Sequence, residues 1–257
     1  MVFFSENFTF NNIHSRDMNI SLISLEGDIL NDYGISYNEN IVSESINNKN
    51  FYYSSSKEIP SIVLNLALVD NYGVPMKWDY ETRKNVIDWL ITDTFCEFVS
   101  EDNPEIIYYF KCIGINKKFS LNMEGMLEVT MQPQDEYAYS PIMTYVYEVD
   151  GEKDIDIYCL ENATDKNFPV IEIEQLGEES IEIINNSTYA DGLVINNLTL
   201  NECIKIDNDI KQVESSLNIN RLLNINRKWF YLKKGINNIT IKGKCNIKFT
   251  TQYRLVV

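Results

Sequence analysis

The amino-acid sequence predicts a mainly all-β protein of two β-sandwich-type domains, the first with one α-helix packed on its sheet. Three observations predict it. Apolar residues recur at alternate positions through most of the chain, one stretch alone has helical spacing, and a polar segment bracketed by prolines interrupts the pattern near the middle. At 257 residues, two domains of about 110 to 150 residues are the default expectation. The apolar fraction of 44% lets each half bury a core of its own.

In chain order, residues 20–23, 62–69 and 95–99 read as strands, bounded by Gly27, Gly34, Gly73-Val74-Pro75 and Asn103-Pro104. The helix lies between the last two, over residues 79–94. Asp79 is placed to cap it and Glu81 sits in its first turn, at the positive end of the helix dipole. Val86, Ile87, Leu90 and Ile91 then form an apolar stripe toward the sheet, with Lys84, Asp88 and Asp93 in water. Trp89 shares this helix and Trp78 precedes it, so both are expected to pack. Residues 106–110 and 126–131 follow as strands, separated by Gly114 and by Asn122-Met123-Glu124-Gly125. Pro133 and Pro141 bracket a polar, tyrosine-bearing stretch at 132–141, which sets the expected domains at 1–135 and 136–257.

The second half alternates cleanly. Ile155/Ile157/Cys159, Ile171/Ile173 and Ile181/Ile183 face one way, while Asp154/Asp156, Glu172/Glu174 and Glu182 face the other. One buried face and one acidic, solvated face follow. The pairs Leu193/Ile195, Leu198/Leu200 and Ile204/Ile206 read as short strands, and Trp229-Phe230-Tyr231 as another. A turn at Lys234-Gly235-Ile236-Asn237-Asn238 leads to a closing pair, Ile239/Ile241 and Ile247 to Leu255, divided by Gly243. Residues 208–223 leave room for a further helical turn.

Little in the chain points to chemistry. The charge of −16, from 38 acidic against 22 basic side chains, argues against nucleic acid as a partner. The densest basic stretch, residues 226–234, interleaves cations with Trp229, Phe230 and Tyr231, and reads as a strand with solvated charges beside a glycine turn. His14 is the one histidine, so a catalytic triad or a His-rich metal site would have to be built around it. It sits in a turn-like polar cluster. The many carboxylates alternate with isoleucine and so point to water, whereas a catalytic acid needs partial burial. Asp207-Asn208-Asp209 opens like a calcium loop, but Gln212 and Asn218 stand where glycine and glutamate are required, and a hairpin turn accounts for it better. No phosphate loop, nucleophile elbow or dinucleotide fingerprint is found. No catalytic, cofactor or metal residue is therefore nominated.

Five cysteines, odd in number and without a C-x-x-C, read as small buried thiols of a protein made in a reducing cytoplasm. The opening Met1-Val2-Phe3-Phe4-Ser5-Glu6-Asn7 lacks signal-peptide features. The longest apolar run, 62–69, is broken by Asn65 and far too short to span a membrane. Trp229 and Tyr231 share a face of their strand and form the one candidate platform for a saccharide, with core packing as the competing account.

These residues resemble the distal tail protein (Dit) family of siphophages, the long-tailed phages, infecting Gram-positive bacteria. Phe8-Thr9-Phe10-Asn11-Asn12 resembles the family's aromatic-x-Phe-Asn-Gly opening, with Asn12 in place of glycine. Arg83 to Leu90 resembles its single helix. Phe119 to Gln132 with Tyr137-Ala138-Tyr139-Ser140 resembles the strand and linker that leave the first domain. Ile206-Asp207-Asn208-Asp209, Trp229 to Leu232 and Gly235 to Gly243 resemble the closing strands of the second. The resemblance implies a non-enzymatic virion component of the tail tip. Six copies would form a ring, with N-terminal domains inside and galectin-like C-terminal sandwiches outside, joining the tail tube to the hub or baseplate and anchoring receptor-binding proteins for host attachment. It implies no cofactor, nucleic acid or membrane. The alternative from another class is a carbohydrate-binding module that meets host cell-wall saccharide through the C-terminal sandwich.

Overall fold

Phe8 and Phe10 are buried to either side of a half-exposed Thr9, the alternation that forms β1 (Phe8–Phe10). In this computed structural model residues 5–23, 38–46, 49–177, 180–188 and 192–256 are described. Gly27 and Gly34, expected to bound the first strand, lie outside them. The chain divides between Ala138 and Tyr139 into two units.

In the first unit β1 is followed by β2 (Ile13–His14), β3 (Ile20–Leu22), β4 (Asn38–Ile46), β5 (Lys49–Glu58), β6 (Ile62–Leu68), helix α1 (Tyr80–Leu90), β7 (Cys96–Ser100), β8 (Ile107–Phe119) and β9 (Gly125–Pro133). The large sheet runs β2-β1-β7-β8-β9-β6-β3, antiparallel throughout. Gly114, expected between strands, lies within β8, where the register with β9 shifts between Cys112 and Gly114. Among the described residues strands β4 and β5 pair only with each other, in a separate two-stranded sheet. That hairpin carries little strand signal, since eight of the 19 residues in its two strands are asparagine or serine.

Asp79 caps α1, its Oδ1 accepting the Thr82 N–H at 2.7 Å. The helix is four residues shorter at its C-terminal end than the expected 79–94, because Ile91 is already extended (φ −83°, ψ 113°). The stripe is corrected with it. Val86, Trp89 and Leu90 are buried, while Ile91 is 60% exposed. Trp89 stacks on Phe8 at 5.8 Å and donates its indole N–H to the Phe10 carbonyl at 2.9 Å. Trp78 is fully buried and bonds the Gly125 carbonyl at 3.0 Å. An added Cβ at Gly125 would lie 2.0 Å from the Lys118 carbonyl oxygen, at φ +153°. Gly125→Ala is therefore expected to cost about 2–4 kcal/mol. A denaturant melt checks this.

The short β10 (Ala138–Tyr139) spans the division, and the second unit holds β11 (Met143–Cys159), β12 (Val170–Gln175), β13 (Ile181–Asn185), β14 (Leu193–Ile195), β15 (Cys203–Asp207), β16 (Gln212–Ser215), β17 (Gly235–Thr251) and β18 (Arg254–Leu255). Its sheet runs β14-β13-β17-β12-β15-β16, with β11 also on β17. The expected closing pair is in fact one 17-residue strand, β17, matched along its length by the 17-residue β11. Gly243 (φ +125°) does not end it. That glycine faces Gly151 (φ +93°) in register, so both long strands take up left-handed backbone at the same level. Beyond this level β17 changes partner, pairing β13 through residues 239–242 and β12 through 245–250. A single ribbon thus supplies both halves of the sheet.

The core beneath it is aliphatic and repeats the predicted alternation. Ile155, Ile157, Ile171, Ile173, Ile181 and Ile183 are all buried. Two expected strands are absent. Leu198 is buried but Leu200 is exposed in a turn, and Trp229 to Tyr231 run extended outside any strand. The room left at 208–223 holds β16 and a 3-10 turn, Arg221–Leu223. The cysteines are all free, but only Cys159 and Cys245 are buried, where burial pushes each thiol up to about 11. Cys203 is exposed and Cys96 and Cys112 are half-buried, which corrects the expectation of uniformly buried thiols.

Candidate functional site

His14 caps a 3-10 turn, its Nδ1 accepting the Arg16 N–H at 3.2 Å. Asp207 accepts the N–H groups of Asp209 and Ile210 in the β15–β16 hairpin. Among the described residues no group of three or more His, Cys, Asp or Glu side chains is placed to hold a metal, and no helix is long and apolar enough to cross a membrane.

Three surfaces remain. The first is the β4–β5 hairpin. It joins neither large sheet, and Ile41 and Val42 on it are 61% and 57% exposed. Among the described residues both of its outer edges are unpaired, and a two-stranded sheet is marginal alone in water, so these edges could take a further strand.

The second is a shallow trough of about 450 Å³ on the outer face of the second unit. Lys248, Glu172, Lys205 and Glu214 lie in one register row across four strands of its floor. Lys248 and Glu172 pair at 2.5 Å. Charges alternate along the row and cancel one another.

The third surface contains Trp229 and Tyr231. Phe230 and Leu232 are buried beneath it, while Trp229 and Tyr231 are half-buried and Arg227, Lys228, Lys233 and Lys234 are exposed. An extended segment outside a ladder must satisfy its backbone otherwise. Here buried asparagines do so. Asn208 Oδ1 accepts the Phe230 N–H at 2.9 Å, and Asn185 Nδ2 donates to the Tyr231 carbonyl at 2.9 Å. Asn237 accepts the Lys233 N–H at 2.9 Å and donates back to its carbonyl at 2.8 Å. The backbone of Asn167 exchanges two bonds with Leu232. The segment is thereby held as firmly as a strand, with its outer row fixed. Trp229 packs against the edge of the core. Tyr231 carries the Lys166 ammonium 4.5 Å above its ring and Phe168 at 6.1 Å. A sugar ring stacking on Tyr231 would first have to displace Lys166.

Sequence reasoning found the aromatic row and missed what positions it. Asparagine was legible only as an abundant residue, since nothing in the chain distinguishes an asparagine that clamps a neighbour from one in a turn.

The chain is mainly β in two units, with one helix in the first and a long-stranded sheet in the second. Residues 3–134 match the family model described as a phage tail protein N-terminal domain and residues 137–251 that of a phage tail C-terminal domain, and the chain belongs to this phage tail protein family. It is 24% identical over 260 residues to the SPbeta prophage-derived uncharacterized protein YomH of Bacillus subtilis strain 168, covering 97% of this chain and 98% of that protein. Among solved structures it resembles SPP1 Dit (gp 19.1), described as a paradigm of the hub adsorption apparatus in phages infecting Gram-positive bacteria. The TM-score is 0.62 at 13% identity, over 96% of this chain and 98% of that one. A chain of the phage P2 baseplate in its calcium-activated conformation aligns with a TM-score of 0.49 at 11% identity, over 95% of this chain and 97% of that one. The chain is thus a phage tail protein by family, and it shares its fold with SPP1 Dit.

Proposed function

We propose that this chain is the ring-forming, non-enzymatic distal component of a phage tail, made in the bacterial cytoplasm and assembled into the virion. Six copies close a ring that joins the tail tube to the tail-tip hub, and the second unit of each copy anchors receptor-binding proteins. The observation that carries this reading is the β4–β5 hairpin of the first unit, which offers exposed Ile41 and Val42 and, among the described residues, unpaired strand edges to a neighbour. A heterologous contact of that kind, repeated by rotation, closes into a ring. The domain roles follow, with residues 1–135 forming the ring and 136–257 its periphery, where acidic strand faces keep the assembly soluble.

Saccharide binding through Trp229 and Tyr231 is the weaker reading, because Lys166 covers the Tyr231 ring. Light scattering across concentration, with negative-stain images of the largest species, tests the ring. The expected outcome is a closed ring with a central hole. A chain that stays monomeric alone and also when mixed with the hub protein of the same phage overturns it.

A further inference from the structure

The charges of the second unit are segregated in a way that its core and its sheet do not require. On β11, Glu148, Asp150, Glu152, Asp154 and Asp156 lie at alternate positions and are all exposed. Only Asp150 has an ion-pair partner among the described residues, Lys244 at 3.2 Å. Asp154 and Asp156 receive neutral donors, the Thr240 hydroxyl at 2.5 Å and the Asn238 amide at 3.1 Å. Lys153, the one cation of the strand, lies over the Tyr147 ring at 5.7 Å and donates to the Glu148 carbonyl. Among the described residues β11 pairs with β17 alone, where Lys242 and Lys244 stand opposite Glu152 and Asp150, and no strand on its other side adds a countercharge.

The opposite charge is gathered on the asparagine-clamped segment. Arg227, Lys233 and Lys234 are exposed and form no ion pair among the described residues, and Lys166 stands beside them over Tyr231. The acidic row lies on a strand, in which alternate side chains recur about every 7 Å. On the clamped segment Trp229, Tyr231 and Lys233 stand at alternate positions, with Arg227 at a left-handed bend before them (φ +59°) and Lys234 at a bend after them. Trp, Tyr and Arg are also the residue types that anchor protein interfaces.

We propose that the row formed by Arg227, Trp229, Tyr231, Lys233 and Lys234 of one copy docks on the acidic face of β11 of a second copy. The contact is heterologous, so each copy gives one row and receives the other. It goes beyond the ring reading by joining second units, and it does not use the β4–β5 hairpin. Its strength should fall with salt, since both rows are exposed.

The test uses the full chain in three variants, with self-association read by analytical ultracentrifugation at low and high salt. One variant carries Arg227→Glu, Lys233→Glu and Lys234→Glu, the second Glu152→Lys, Asp154→Lys and Asp156→Lys, and the third all six. Every substituted side chain is exposed, so each variant should melt close to the parent. Each triple reversal is expected to weaken association at least ten-fold, and the six-fold variant to restore it with reversed polarity. Association unchanged by either triple variant, or not restored in the combined one, overturns the contact. A ring that persists through all three leaves the ring reading standing without this contact. Charge-dependent association that never closes into a ring retains the contact and removes the ring. Binding of heparin, lost on reversal of the basic row while self-association is unchanged, gives that row another occupant and overturns the proposal.

Discussion

Arg221→Met is expected to destabilise the second unit by about 3–5 kcal/mol, the cost of leaving a buried carboxylate without its partner. Glu202 is 1% exposed and Arg221 7%. The guanidinium grips the carboxylate with two bonds, Nε to Oε1 at 2.8 Å and Nη2 to Oε2 at 2.7 Å. Ser215 Oγ donates to Oε1 at 2.6 Å and the Thr199 N–H to Oε2 at 2.9 Å, while Arg221 also reaches the Asn197 carbonyl at 2.9 Å. The pair therefore ties the 197–202 turn, β16 and the 3-10 turn together. Burial by itself would raise the Glu202 pKa, but the hydrogen bonds from Arg221, Ser215 and Thr199 bring it down from 4.5 to about 2.

A pKa depressed on folding contributes stability that is complete above the unfolded value and lost as pH falls through the folded one. The parent should accordingly lose on the order of 3 kcal/mol between pH 4.5 and pH 2 from this group. In Arg221→Met the carboxyl has lost its cation and takes up a proton more readily, so the gap to the parent narrows on acidification. Thermal melts from pH 2 to pH 7 check both statements. Glu202→Met combined with Arg221→Met should recover most of the loss at neutral pH, since an apolar pair leaves no charge unpaired. Failure of that recovery would mean that the turns need the polar contacts to the Asn197 carbonyl and Ser215.

The second large effect falls on assembly. Ile41→Lys with Val42→Lys is expected to weaken self-association on the order of a hundred-fold or more, because burying two aliphatic side chains in an interface is worth roughly 3–6 kcal/mol and each 1.4 kcal/mol is ten-fold. The monomer should melt nearly unchanged, since the hairpin joins neither large sheet. Sedimentation and a melt of the same sample separate the two effects. A ring that forms with unaltered affinity would move the assembly surface elsewhere on the first unit.

The amino-acid sequence by itself determined the elements whose local pattern is strong. Period-two alternation located β12, β13 and the inner half of β11, because a strand with one buried face must repeat every two residues. Asp79 and the three- and four-residue spacing located α1, and the lack of a histidine cluster or phosphate loop was legible directly. Local pattern failed where the deciding contact is distant in sequence. Gly243 looks like a break and lies inside β17, because its partner across the ribbon is Gly151. Ile91 fits the helical stripe and is left in water, because the helix ends at Leu90 and Trp89 fills the space over Phe8 and Phe10. Asn167, Asn185, Asn208 and Asn237 look like turn residues, and only the tertiary structure makes them buried clamps. The same holds for Glu202 and Arg221, two ordinary charges until the fold removes water from between them. Pairing, burial and the gathering of like charges on one face depend on residues far apart in the chain, and these the tertiary structure alone decided.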